Sequence, residues 1–259
     1  MSFVSWQYAQ FLPTVLLLYW QLPWRGRICL LLAGSYFFYG LWDARFLALL
    51  LTSSTIDYFC GLAIARQRER LSKVVLTACL PAAWLAGYSA LAPKTAGVDG
   101  WILSAALLFP VLFGSLYQSL WRWPEAKQRR AFLLLSIVTN LGVLGFFKYF
   151  NFFAASALSL LSGLGWHPTW TFPHIILPMA ISFYTFQSIA YTVDIYREKA
   201  RPERDFLTFA AYLSFFPQLI SGPIERPNDL LPQFQKAAAW SLENLHRGFR
   251  LILVGLFKL

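Results

Sequence analysis

The sequence predicts an all-α polytopic membrane protein, a helical bundle that crosses the bilayer several times. Three observations carry this reading. Hydrophobic residues fill 58% of the 259 positions, against roughly 45–50% in soluble domains. Charged residues fill only 13%, about half the usual share. The charges also fall in short clusters between apolar runs. Intrinsic disorder is excluded, because the chain has ample apolar surface to bury. A soluble domain is excluded, because there are too few polar side chains to cover one. The net charge of +10 is no sign of nucleic acid, since the basic residues form no continuous stripe.

A helix crosses the hydrocarbon in about 20 residues at 1.5 Å each. Charge and Pro/Gly punctuation delimit the candidate spans in order: 7–24, 28–42, 46–65, 74–91, 101–121 and 131–147. The run 151–164 is shorter and suits the interface. Residues 175–195 form a strong span. Residues 206–220 are interrupted by Pro217 and fit a short or re-entrant helix. Residues 248–259 begin a further span. The chain reads as one membrane domain over 1–259, without internal repeats or low-complexity tracts. Residues 1–12 lack the basic start and small-residue site of a cleavable signal peptide.

Orientation follows from Lys and Arg. Alternate loops carry Arg25 and Arg27, then Arg66, Arg68, Arg70 and Lys73, then Arg122, Lys127, Arg129 and Arg130, then Arg197, Lys199, Arg201 and Arg204. The opposite loops or their edges hold only Arg45, Lys94 and Lys148. The positive-inside rule then puts the four basic loops in the cytoplasm and the N-terminus outside. Trp6, Trp20, Trp24, Trp42, Trp101, Trp121 and Trp123 sit near span ends, as interfacial belts do. Cys29, Cys60 and Cys79 lie in apolar runs with no metal-ligand spacing and read as buried small hydrophobes.

Polar side chains at membrane depth are the candidate functional groups. An isolated carboxylate there costs at least about 2.5–3.5 kcal/mol. Asp57 shares a helix face with Ser53, Ser54 and Gly61, and an interhelical hydrogen bond is the favoured reading of it. After Pro178, Tyr184, Gln187, Ser188, Tyr191 and Asp194 fall within an arc of roughly 120° at 100° per residue. Such a face lines a hydrated tunnel or bonds to neighbouring helices, and the residues alone leave both open. Asp194 lies three residues before Arg197, so a local ion pair accounts for it. The turn 221–227 frees backbone groups near the membrane. There Glu225 and Arg226 fix a loop, the favoured reading, or contact an anionic donor. His167, His174 and His246 have no dyad or metal spacing and read as interfacial.

Several runs resemble a known family. Residues 177–197 (LPMAISFYTFQSIAYTVDIYR) are similar to the hallmark segment of the membrane-bound O-acyltransferases, nearest the alginate O-acetylation type. Residues 215–226 (FFPQLISGPIER) and 229–234 (DLLPQF) match the segment that follows it. Residues 35–42 (SYFFYGLW), Asp57-Tyr58 and 145–151 (GFFKYFN) match its N-terminal portion in order. Residues 74–121 carry no such motif and read as an added helical pair.

The resemblance implies a partial membrane-bound O-acyltransferase fold, a funnel with a central tunnel. It implies transfer of an acyl group, often acetyl, to hydroxyls of an exopolysaccharide such as alginate. No bound cofactor is implied. The acyl donor is a co-substrate, acetyl-CoA or a carrier-linked thioester. The implied partners are the lipid bilayer, an extracytoplasmic polysaccharide and other acetylation proteins, and the implied location is the bacterial inner membrane. On this basis Tyr184, Gln187, Tyr191 and Asp194 are expected to line the tunnel. Residues 217–226, with Gln218, Glu225 and Arg226, are expected to shape a cytoplasmic entrance where basic groups meet donor phosphates. The family's catalytic histidine follows a Trp/Arg-rich segment that would lie beyond Leu259. The chain is therefore expected to be an N-terminal portion, inactive alone. The rival classes are a secondary transporter, with Asp57 and Asp194 as ion sites, and a non-catalytic membrane scaffold.

Overall fold

The computed structural model describes residues 6–91, 100–166, 172–173, 175–219, 222, 226–236 and 240–258. All the regular elements among them are helical. Helices α1 (Trp6–Gln21) and α2 (Trp24–Asp43) are separated at Pro23, which caps α2. Asp43 then adopts an extended conformation, and a 3₁₀ turn (Ala44–Phe46) leads into α3 (Leu47–Ile64). The Asp43 carboxylate accepts from the Arg45 backbone N–H at 3.0 Å and pairs with its guanidinium at 2.7 Å, which fixes this turn. Short α4 (Leu71–Ala78) and α5 (Leu80–Leu91) pack on α6 (Gly100–Leu120). The motif-free stretch is therefore a helical pair.

Helix α7 (Glu125–Gly163) joins 131–147 and 151–164, which sequence alone separates, into one element. Its 39 residues extend about 58 Å, nearly twice the hydrocarbon thickness. Its composition explains the continuity: Gly142 and Gly145 weaken a helix but do not stop it, and no proline intervenes. Lys148 is therefore within a helix and not at a loop edge.

The run 175–195 is not helical throughout. Pro178 and left-handed Ala180 (φ 62°) delay the start of α8 (Ile181–Tyr196). Sixteen residues, about 24 Å, fall short of a full crossing. The largely buried α9 (Phe206–Leu213) and α10 (Phe216–Leu219) and the half-exposed α11 (Pro227–Gln235) follow as short pieces. Helix α12 (Leu242–Phe257) starts before the apolar run from 248 and is largely exposed. Among the described residues, four helical runs are long and apolar enough to cross a membrane: Trp24–Ile64, Leu71–Leu91, Gly100–Leu120 and Glu125–Gly163.

The core is α3 wrapped by α5, α7, α8 and α9. All four basic loops meet at one end of it. Arg66 pairs with Glu125, and Arg129 pairs with Glu198 at 3.2 Å. The Tyr58 hydroxyl donates to the Arg204 carbonyl at 2.5 Å. The Trp24 indole donates to the Phe234 carbonyl at 3.0 Å, which brings in the loop of Arg25 and Arg27. Cys60 is buried, but Cys29 and Cys79 are exposed, contrary to the sequence expectation. In a membrane helix the outward face is apolar too, so an apolar run does not tell inside from outside.

Candidate functional site

The site is built on three helices that meet at Asp57. This carboxylate is fully buried. Ser136 Oγ donates to Oδ1 at 2.6 Å, and Asn140 Nδ2 donates to both oxygens at 2.9 and 3.0 Å. Ser136 and Asn140 lie one turn apart on α7, so a single face presents both donors. Thr192 Oγ1 of α8 lies 3.1 Å from Ser136 Oγ. Ser188 faces the same carboxylate without reaching hydrogen-bond geometry. The interhelical hydrogen bond favoured for Asp57 is thus present, with partners outside its own helix face. Ser54 instead donates to the Leu50 carbonyl at 2.7 Å. Gly61 lets α8 approach: a Cβ there would lie 2.6 Å from Tyr191 Cε1.

Ser136, Asn140 and Thr192 escape a sequence reading that looks for charge within apolar runs. The signal that marks two of them is a Ser and an Asn four residues apart inside 131–147.

The polar stripe of α8 faces inward. Tyr184, Gln187 and Tyr191 are buried, while Phe186 on the opposite side is half exposed. Gln187 Nε2 donates to the Tyr212 carbonyl at 3.2 Å, one of the orphan carbonyls ending α9. The Tyr191 hydroxyl accepts from the Glu203 N–H at 3.1 Å. Asp194 is half-buried and forms no ion pair with Arg197, so the local pair expected from sequence is absent. Arg129 instead takes Glu198 and the Tyr196 carbonyl, which draws the end of α8 onto α7. The Tyr184 and Thr185 hydroxyls and Asn140 Oδ1 are buried with no hydrogen-bond partner among the described residues.

Residues of the other motifs have a common role, which is to satisfy backbone that is not helical. The Tyr39 hydroxyl donates to the Met179 carbonyl at 3.1 Å. Ser35 Oγ accepts from the Phe216 N–H at 3.1 Å, at the start of α10. The Asn151 amide exchanges two hydrogen bonds with Ile175, donating at 2.7 Å and accepting at 2.9 Å. Irregular backbone at membrane depth survives only when protein groups or a wet cavity satisfy it.

Of the entrance candidates, Gln218 is buried, and its carbonyl accepts from the Gly222 N–H at 3.0 Å. A Cβ on Gly222 would lie 2.8 Å from the Gln218 backbone, so this turn requires glycine. Arg226 is exposed and caps α11. Glu225, His167 and His174 lie outside the described residues. His246 is exposed on α12. No group of His, Cys, Asp or Glu among the described residues is suited to a metal ion.

Two clefts open on this framework. One, of about 580 Å³, is lined by Trp42, residues 177–183 and Phe186. The other, of about 290 Å³, lies between α1, α2, α10 and α11. Tyr184, Gln187, Tyr191 and Asp194 line neither.

The chain is 34% identical over 86% of its length to the probable alginate O-acetylase AlgI of Azotobacter vinelandii, and covers 34% of that protein. It is 30% identical over 96% of its length to the protein of the same name from Pseudomonas syringae, covering 37% of it. The chain is thus similar to membrane-bound O-acyltransferases of the alginate O-acetylation type. A peptidoglycan O-acetyltransferase of Helicobacter pylori is 31% identical over 61% of the chain and is covered to 37%. The chain thus spans about a third of the length of the curated relatives it matches. No family model and no solved structure matches it.

Proposed function

We propose that this chain is part of an O-acyltransferase that moves acetyl from a thioester donor to hydroxyls of an alginate-like exopolysaccharide. The observation that carries the proposal is the 34% identity over 86% of the chain to a probable alginate O-acetylase. In the reaction, an acceptor hydroxyl oxygen forms a bond to the thioester carbonyl carbon and the carbon–sulfur bond breaks. The hydroxyl proton leaves to a general base, and the departing thiolate takes up a proton. We place the protein in the bacterial inner membrane with the N-terminus outside, on the Lys/Arg asymmetry. The donor then approaches from the basic end and the polysaccharide from the other, with further acetylation proteins as partners on the acceptor side.

Within the described residues, the unpartnered Tyr184 and Thr185 hydroxyls are the donors we assign to passing carbonyl or hydroxyl oxygens. Gln187 and Tyr191 act as positioning residues, holding α9 and the 203 loop against α8. The general base is assigned to none of the described residues, and the chain alone is expected to transfer no acetyl. The test replaces the matching portion of the A. vinelandii relative with this chain, in cells lacking the native protein. Restored acetyl content of the polysaccharide is the expected result. A membrane-inserted chimera that restores none would overturn the assignment.

A further inference from the structure

We propose that the cleft between α1, α2, α10 and α11 binds an anionic phospholipid, one acyl chain in the slot and the phosphate at Arg27 and Lys236. The cleft has the polarity of such a molecule. Its deep part is aliphatic and aromatic, with Leu12 and Leu16 from α1, Leu31 from α2 and Phe216 from α10. Its mouth holds Arg27 and Lys236, and among the described residues no acidic side chain lines the cleft. From Tyr19 at the mouth to Leu12, seven residues along α1 give a depth of about 10 Å. Its volume is about 290 Å³, and its lining follows α1 from Leu12 to Tyr19 and α2 from Trp24 to Leu31. A strand of hydrocarbon fits that shape.

The basic mouth is also prepared. Arg27 Nε donates to the Leu22 carbonyl at 3.0 Å, and the guanidinium lies 5.0 Å from the Tyr19 ring centre and 5.1 Å from that of Trp20. A guanidinium held on two aromatic faces at a membrane interface is positioned for phosphate oxygens. Basic pockets between membrane helices are general recognition sites for anionic headgroups. The Trp24 indole, also in the lining, donates to the Phe234 carbonyl at 3.0 Å, so an occupant would tie α1 and α2 to α11. Because both leaflets contain phospholipid, the proposal does not depend on the orientation of the chain or on the acyltransferase reading.

The experiment is native mass spectrometry and thermal melting of the purified protein with phosphatidylglycerol or phosphatidylcholine. Phosphatidylglycerol is expected to be retained about tenfold better. Arg27→Gln and Lys236→Gln should each weaken that retention roughly fivefold, the effect of one basic residue at an anionic surface. Arg122→Gln, an exposed cation at the same end, should change nothing. Leu16→Trp, which fills the slot and leaves both cations in place, should lower retention of either lipid. Equal retention of the two lipids, an equal loss in Arg122→Gln, or displacement of the lipid by acetyl-coenzyme A would each overturn the proposal. The last outcome would make the cleft a donor site.

Discussion

The α3–α7–α8–α9 core and the α4–α5–α6 pair are built from equally apolar sequence but are held together differently. The core encloses Asp57, Ser136, Asn140, Gln187, Ser188 and Thr192, all buried. The pair presents Leu107, Leu108, Val111 and Leu112 outward, each more than half exposed. Its side chains reach the rest of the bundle at both ends, where the Tyr117 hydroxyl accepts from the Glu69 N–H at 3.1 Å and the Trp84 indole donates to the Ala44 carbonyl at 2.7 Å, and between them Phe113 and Tyr117 pack on Phe59. Lipid is as apolar as leucine, so burying apolar surface does not drive helices together in a membrane. The core is specified by hydrogen bonds and close approach. The pair is specified by fit, as at Gly114, where a Cβ would lie 3.0 Å from Val75 Cγ2.

Substitutions separate the two regions by size of effect. Asp57→Ala strands the donors of Ser136 and Asn140, and about 3 kcal/mol of stability is expected to go with it. Thermal melting in detergent micelles reads that loss directly. Gly61→Ala forces its methyl into Tyr191, which the Glu203 N–H holds in place. Overpacking of this kind costs about 1–3 kcal/mol. A melting point equal to the parent's would show that α3 and α8 have room to part. Gln187→Leu leaves the Tyr212 carbonyl unsatisfied, and about 1–2 kcal/mol is the expected cost. Faster hydrogen exchange confined to α9 is its signature. Leu112→Ala on the outward face of α6 should shift stability by no more than about 0.5 kcal/mol. A larger shift there would mean that this face is covered.

Much of the core is legible in the sequence. The inward face of α8 follows from the 3.6-residue period of Tyr184, Gln187, Ser188 and Tyr191, and the structure buries all four. The meeting of the basic loops at one end follows from their alternation with apolar runs. Chain breaks inside apolar runs are less legible. Residues 175–180 are as hydrophobic as a span, and their extended path rests on Pro178, on Ala180 and on the Asn151 clamp from a distant helix. The partners of Asp57 are hidden for a related reason. Ser136 and Asn140 carry no charge, and their value depends on a carboxylate 79 and 83 residues away. Asp194 misleads by proximity: Arg197 follows it closely, but the two form no ion pair, and the ion pair at this helix end is Arg129 with Glu198.

Asp57, Ser136 and Asn140 act as one unit that fastens α3 to α7. A double-mutant cycle with Asp57→Ala and Asn140→Ala, read by unfolding in micelles, measures this directly. A coupling of at least about 1 kcal/mol is expected, since residues in one hydrogen-bond network do not add. Losses that sum to within about 0.5 kcal/mol, the behaviour of independent sites, would refute the fastening role.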